Sequence, residues 1–332
     1  MEGVLNTIVA SLTGIYSVIL AMIPIFVYLY LASLGNSIIE RSGILNLAID
    51  GAYTLGIAVA FVMLVSITEF IGGLIINPSP TLLIPTLALL ITSFLIGLLG
   101  VLIAFLTTKL PIPHGAIGLS IQFIGYGLAS FLAYPASQKV RYKMMRLDTY
   151  PTTPEIVLTF LTLSIVIGVL MYLLIFRTKL GAAVRAVGEN PAGASALGIN
   201  VLEIRIVAAF LGYVLIGSAS SLSLLLHTKN WQEGLGMGYG WISFAISLSS
   251  GRHPIVGIIT SAIFAILMRY AYVLQDVLAT FGISISPFVV IALPFIAAVF
   301  IPVVVTAIPP LRQRFATPKY LGKIFFSEER SI

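Results

Sequence analysis

The stretch ERSGILNLAIDGAYTLG, Glu40 to Gly56, carries an amide, a carboxyl and a phenol, Asn46, Asp50 and Tyr53, at spacings of four and three residues. In a helix, such spacings align the three side chains on one face. In apolar surroundings, a carboxyl and an amide on one face either line a solvated cavity or find partners on a neighbouring helix. Both readings stand at this point. The three residues form the wall of a solute pathway, or they form a polar clamp in which Asp50 meets an arginine or an amide.

Catalytic constellations are missing. The chain has no P-loop, no H-E-x-x-H and no G-x-S-x-G, so phosphate cradling, zinc proteolysis and serine hydrolysis lose their usual signatures. GLGMGYG, Gly234 to Gly240, misses the dinucleotide pattern G-x-G-x-x-G at its last position and follows no soluble strand. It reads as a flexible lead-in to a short helix. His114, His227 and His253 lie at different span ends without metal-ligand spacing, and the absence of cysteine excludes thiol catalysis and disulfides. Neither an enzyme nor a metal or cofactor site is expected.

The elements that must position these residues are membrane helices. Of the 332 residues, 59% are hydrophobic and 9% charged, against roughly 25% charged in soluble domains. The apolar runs are too long for a β-barrel. The fold class is therefore all-α, a polytopic transmembrane bundle forming a single domain over 1–332 with a tail at 311–332. Nine spans are expected near residues 8–33, 44–68, 82–106, 114–134, 155–176, 203–227, 238–249, 254–275 and 286–308. The first run lacks a signal-peptide pattern and reads as a retained span. The seventh is too short to cross unless tilted or re-entrant. A C-in, N-out orientation places twelve of the 18 basic residues in the cytoplasm. SQKVRYKMMRLD, 137–148, runs against that rule. Only Asp50 and Arg269 are credible ionisable groups within spans, which suits a neutral or weakly charged solute and a driving force supplied from elsewhere.

RAVGENPAGASALGIN, residues 185–200, then lies in a cytoplasmic loop. Asn190 suits an N-cap and Pro191 the first helical position, and Gly198 supplies a stop. About two turns of helix result, presenting small residues that suit a protein socket better than a lipid surface.

This stretch is similar to the pattern R-A-V-G-x-N-P-x-A-A-x-x-x-G-I-N of the membrane-spanning permease subunits of ABC importers for ribose-type sugars, branched-chain amino acids and nucleosides. ERSGILNLAIDG resembles the nucleoside branch, associated with basic membrane proteins. YGWISFAISLSSGRHPIVG resembles a late family segment. The resemblance covers about residues 20 to 308. It implies half of a pore in the plasma membrane, most often in a heterodimer with a homologous permease, otherwise with an identical one. Two separate ATPase subunits that bind ATP and Mg, and an extracytoplasmic solute-binding protein, complete the assembly. Arg185, Gly188, Glu189, Asn190, Pro191, Ala194, Leu197 and Gly198 would form the ATPase-coupling element. Asn46, Asp50 and Gln122, with Tyr53, Phe123 and Tyr126 as stacking surfaces, are the candidate pathway residues. The resemblance extends to a sugar or branched-chain amino acid as solute, and a carrier or channel working without an ATPase is the rival class.

Overall fold

The computed structural model describes residues 2–74, 82–143, 147, 149–309 and 317–325. Their helices run in the order α1 (Glu2–Arg41), α2 (Ile49–Leu74), α3 (Leu83–Lys109), α4 (His114–Lys143), α5 (Pro154–Arg177), α6 (Lys179–Glu189), α7 (Pro191–Ala196), α8 (Val201–Leu222), α9 (Tyr239–Ser249), α10 (Pro254–Thr280) and α11 (Pro287–Ala307). No strand occurs among the described residues. Seven helices among them are long and apolar enough to cross a membrane. α9, with 11 residues, is not one of them. In α11, 21 residues long and interrupted by Pro294 and Pro302, the shorter apolar stretch Ala292–Val304 stands out.

The middle of α1 is the buried axis of the bundle, with Tyr28, Leu29, Tyr30, Ile38 and Ile39 fully enclosed. α8 packs along both α1 and α3, and α2 packs along α4. Past Leu222, α8 continues as a π-helical segment, Ser223–Thr228. Lys229, in the left-handed region at φ 59°, then turns the chain back.

The short seventh span is completed by irregular chain. Residues 229–238 descend beside α2: Trp231 stacks near Phe61 with centroids 6.4 Å apart, Gly236 lies against Ile57, and Gly238 reaches Asp50. From there α9 covers the remaining depth. At its far end the following turn, Gly251–Arg252, meets the end of α1. Arg252 Nε donates to Glu40 Oε2 at 2.5 Å, with both side chains buried.

The bundle thus has two polar ends. One carries the Glu40–Arg252 pair, α6, α7 and the 317–325 segment; at the other, Glu69 meets Lys139 and Lys143. The basic residues of SQKVRYKMMRLD up to Lys143 belong to an extension of α4, which runs to Lys143 instead of ending near 134.

Removing one member of a buried ion pair strands the other charge, at a cost of about 3–5 kcal/mol. Arg252→Ala is therefore expected to lower the thermal stability of the purified protein markedly. An unchanged melting temperature in detergent would contradict that role.

Candidate functional site

The segment Glu40–Gly51 is the centre of the candidate site, and it is helical only at its two ends, with residues 42–48 non-helical between α1 and α2. Asn46 lies in the non-helical lead-in to α2, which starts at Ile49. The expected shared helix face of Asn46, Asp50 and Tyr53 is therefore corrected. The cause is local: Gly43 takes φ +89°, and the backbone that follows is held by non-helical partners. Leu45 N–H donates to His114 Nδ1 at 3.3 Å, and Gly322 N–H donates to the Gly43 carbonyl at 3.0 Å. Asn46 donates to Asn36 at 3.0 Å and accepts from the Tyr213 hydroxyl at 2.5 Å.

Asp50 sits at the N-terminus of α9. Its carboxylate accepts from Gly238 N–H at 2.9 Å, Gly240 N–H at 2.7 Å and Trp241 N–H at 3.3 Å, and from the Tyr126 hydroxyl. A helix N-terminus presents unpaired N–H groups and a partial positive charge, so a carboxylate there meets three donors and a favourable dipole at once. GLGMGYG is what allows this. Gly238, at φ +91°, adopts a backbone that L side chains rarely take, turning its N–H and those that follow toward Asp50. The partner of Asp50 is this set of backbone amides, with no arginine among its hydrogen bonds.

The other nominated pathway residues fall into two groups. Tyr53 is fully buried, its hydroxyl 3.5 Å from the Ala219 carbonyl. Gln122 is buried too; oriented to suit its neighbours, its amide donates to the Leu47 carbonyl at 2.8 Å and accepts from Trp241 Nε1 at 3.3 Å. Tyr126 lies 2.9 Å from the Gln122 side chain. Phe123, 67% exposed, stands at the edge of this cluster, its ring meeting that of Tyr126 edge-on with centroids 6.3 Å apart.

The C-terminus of α9 is held by the same segment. Arg41 Nε donates to the Arg252 carbonyl at 2.9 Å and its Nη2 to the Gly251 carbonyl at 3.3 Å. The short helix therefore has an acid at its positive end and a base at its negative end, twelve residues of chain supplying both.

The expected short helix forms as α7, Pro191–Ala196. Asn190 Oδ1 accepts from Gly193 N–H at 2.9 Å, Pro191 is the first helical residue, and Gly198 takes φ +84°. Two features differ from the expectation. Residues 179–189, read as loop, form the helix α6, capped by Thr178, whose hydroxyl accepts from Gly181 N–H at 3.1 Å. Its small and apolar residues at Gly181, Val184, Val187 and Gly188 point inward, a helical spacing that was there to be read. Ala194 is also inward, 3% exposed and packed with Val187, Val201 and Phe325. This corrects the expectation that α7 offers Ala194 to a partner; Leu197, 84% exposed, stands at the tip instead.

Gly188 explains how this elbow is attached. A Cβ there would collide with the Arg41 carbonyl, so only glycine lets α6 seat on the turn after α1. Arg185 and Arg41 both lie over one ring, Phe176, their guanidinium carbons 5.4 and 4.9 Å from its centroid. Glu189 accepts from Lys319 N–H at 3.4 Å, and Tyr320 N–H donates to the Gly188 carbonyl at 3.0 Å. The 317–325 segment of the tail thus straps α6 to the Gly43 turn. Residues 311–316 and 326–332 of the tail lie outside the described residues.

A helical bundle without a catalytic constellation among its described residues, holding a polar half-helix inside and a capped elbow at one end, has the build of a membrane permease. The chain belongs to the family described as branched-chain amino acid transport system / permease component, whose model matches residues 18–305. It is a multi-pass protein of the plasma membrane. It is similar to the nucleoside ABC transporter permease protein NupC of Lactococcus lactis, 26% identical over 74% of this chain and 78% of the relative. It is also similar to the guanosine ABC transporter permease protein NupQ of Bacillus subtilis, 23% identical over 71% and 75%. A third relative is the putative glucose ABC transporter permease protein TsgC13 of Haloferax volcanii, 25% identical over 72% of each chain. No solved structure matches.

Asp50→Ala strands the N–H groups of Gly238, Gly240 and Trp241, at about 1–3 kcal/mol for each group left unsatisfied. A clear loss of thermal stability is expected, smaller for Asp50→Asn, which keeps one acceptor oxygen. Equal stability of Asp50→Ala and the unaltered protein would rule out the capping role.

Proposed function

We propose that the chain forms half of the translocation unit of an ATP-driven importer of nucleosides. The observation that carries this reading is the attachment of a rigid, doubly capped elbow, α6–α7, to the turn whose other contacts grip α9. In this reading two separate ATPase subunits bind ATP and Mg, a second permease, homologous or identical, completes the pore, and an extracytoplasmic binding protein delivers the solute. The α7 end faces the cytoplasm, consistent with its share of basic residues.

The coupling residues then have distinct tasks. Leu197 and the exposed small residues of α7 enter an ATPase groove. Asn190, Pro191 and Gly198 fix the helix ends, and Ala194 fills the elbow's interior. Gly188 transmits displacement to Arg41, with Arg185 and Glu189 bracing either side. ATP-driven movement of the elbow shifts the Glu40–Gly51 segment and with it α9, switching the pathway between two states biased by ligands. Asn46, Asp50, Tyr53 and Gln122 hold the moving parts in register, while Tyr126 and Phe123 lie nearer the pathway and the partner permease. The nucleoside assignment draws on the resemblance of ERSGILNLAIDG to that branch and on the names of two relatives. The haloarchaeal relative's name favours a second reading, a simple sugar.

The test is uptake of radiolabelled guanosine into proteoliposomes carrying the purified permeases and ATPases, with the binding protein added outside the vesicles. Uptake should require internal ATP and hydrolysis. Uptake of the same rate without the ATPases would show a carrier or channel and overturn this reading.

Two substitutions probe the elbow. Leu197→Asp and Gly188→Leu are expected to leave basal ATP hydrolysis of the assembled complex in place, or to release the ATPases, while abolishing uptake. Solute-stimulated hydrolysis and uptake at the normal rate in both would contradict the coupling route.

A further inference from the structure

Glu233 is the one carboxylate on the irregular segment 229–238, and its surroundings are unusual for a membrane interior. Its side chain is exposed and accepts a hydrogen bond from the Ser130 hydroxyl of α4. Ser130 lies 16 residues from His114 and 13 from Lys143, the two ends of α4, or about 24 and 20 Å along the axis. α4 is longer than a hydrocarbon layer of about 30 Å, and its last turns carry Lys139 and Lys143 to Glu69 at the bundle's polar end, which leaves Ser130 nine residues, or about 14 Å, inside Lys139. An exposed carboxylate at such depth, held by one hydroxyl, is not compatible with lipid contact.

Two further observations point the same way. Non-helical backbone at membrane depth occurs only where it is buried in protein or lines a water-filled cavity. Here Trp231, Leu235 and Gly236 are buried against the bundle, whereas Gln232 and Glu233 are exposed. Above Ser130 a cavity of about 450 Å³ opens, lined by Tyr134, Gln138, Arg141, Asn230, Gln232 and Glu233 among others, one cation and one anion in a space of a size typical of small-molecule sites. Along α4, Tyr126, Ser130, Tyr134 and Ser137 follow one another at helical spacing, so one polar stripe runs from the Asp50 cluster to the cavity.

We infer that Glu233, Ser130 and the cavity above them form a solute-binding station on the aqueous wall of the translocation pathway. This rests on the transport reading proposed above. The station suits a neutral solute with a ring and paired hydrogen-bond donors. The carboxylate accepts two vicinal hydroxyls, as in a ribose diol, the side-chain amides serve polar ring edges, and Tyr134 offers a stacking face. Its position directly above the N-terminus of α9 means that a shift of that helix moves Glu233 relative to the solute.

The chain has no cysteine, so single cysteines report position without further engineering. In the assembled complex, Glu233→Cys and Ser130→Cys should react with a charged, water-soluble methanethiosulfonate and be protected by transported guanosine. Leu170→Cys, on the exposed apolar face of α5, should not react. Glu233→Gln should raise the KM for guanosine about tenfold or more, with solute affinity of the binding protein unchanged. Discrimination against 2′,3′-dideoxyguanosine at the transport step should weaken in the same variant. Unreactive cysteines at 233 and 130, or unchanged KM and diol preference in Glu233→Gln, overturn the station. If the unaltered complex carries glucose but no nucleoside, the nucleoside reading and the diol-of-ribose assignment fall together, while cysteine labelling still decides whether the wall is aqueous.

Discussion

A half-length helix with an acid at one end and a base at the other is the constraint on which the rest of the structure depends. α9 is too short to span, and its free N–H and C=O groups would be stranded inside the membrane. Asp50 meets the N–H groups; the last carbonyls are taken by the Ser250–Arg252 turn, whose own carbonyls Arg41 holds, and Asp50 and Arg41 come from one stretch of chain, Glu40 to Gly51. Because the helix dipole favours a negative group at its start and a positive one at its end, the stretch and the helix can dock in only one direction. The Glu40–Arg252 pair locks the same end.

That arrangement gives the surface elbow something to act on. Gly188 rests on the Arg41 carbonyl, and the tail ties Gly188 and Gly43 through two backbone hydrogen bonds. In the proposed mechanism a displacement applied at α7 would arrive, through these contacts, at both ends of α9 and at the loop that carries Glu233. In this account, power supplied at one end of the bundle alters a site further along it. The small residues of the elbow, the glycines of GLGMGYG and the acid in the membrane serve one purpose in this account, which is to make a short helix movable as a unit.

Much of this was legible in the sequence where a single local rule decides. Long apolar runs gave the bundle, and Asn190, Pro191 and Gly198 gave α7 with its ends. The rest turned on long-range partners that spacing does not reveal. Asn46 leaves the helix because Gly43, His114 and Gly322 hold its neighbours elsewhere. Ala194 turns inward because Phe325, 131 positions further on, packs against it. Asp50 finds backbone amides 188 residues away, which no pattern of side chains announces. Nothing in the sequence marks Glu233, because the depth of its loop depends on the descent beside α2.

The central claim is that the elbow, the Glu40–Gly51 segment, α9 and the loop above it move as one body. Spin labels on Ala192→Cys and Gln232→Cys, both exposed positions, measure it directly in the otherwise cysteine-free chain by pulsed dipolar spectroscopy. The account predicts one intramolecular distance that is the same in the nucleotide-free and ATP-bound complexes, while the distance between the two permeases' Gln232 positions, or their equivalents, changes. An Ala192–Gln232 distance that shifts or broadens on ATP binding would show that the elbow moves independently of the loop and would contradict the account.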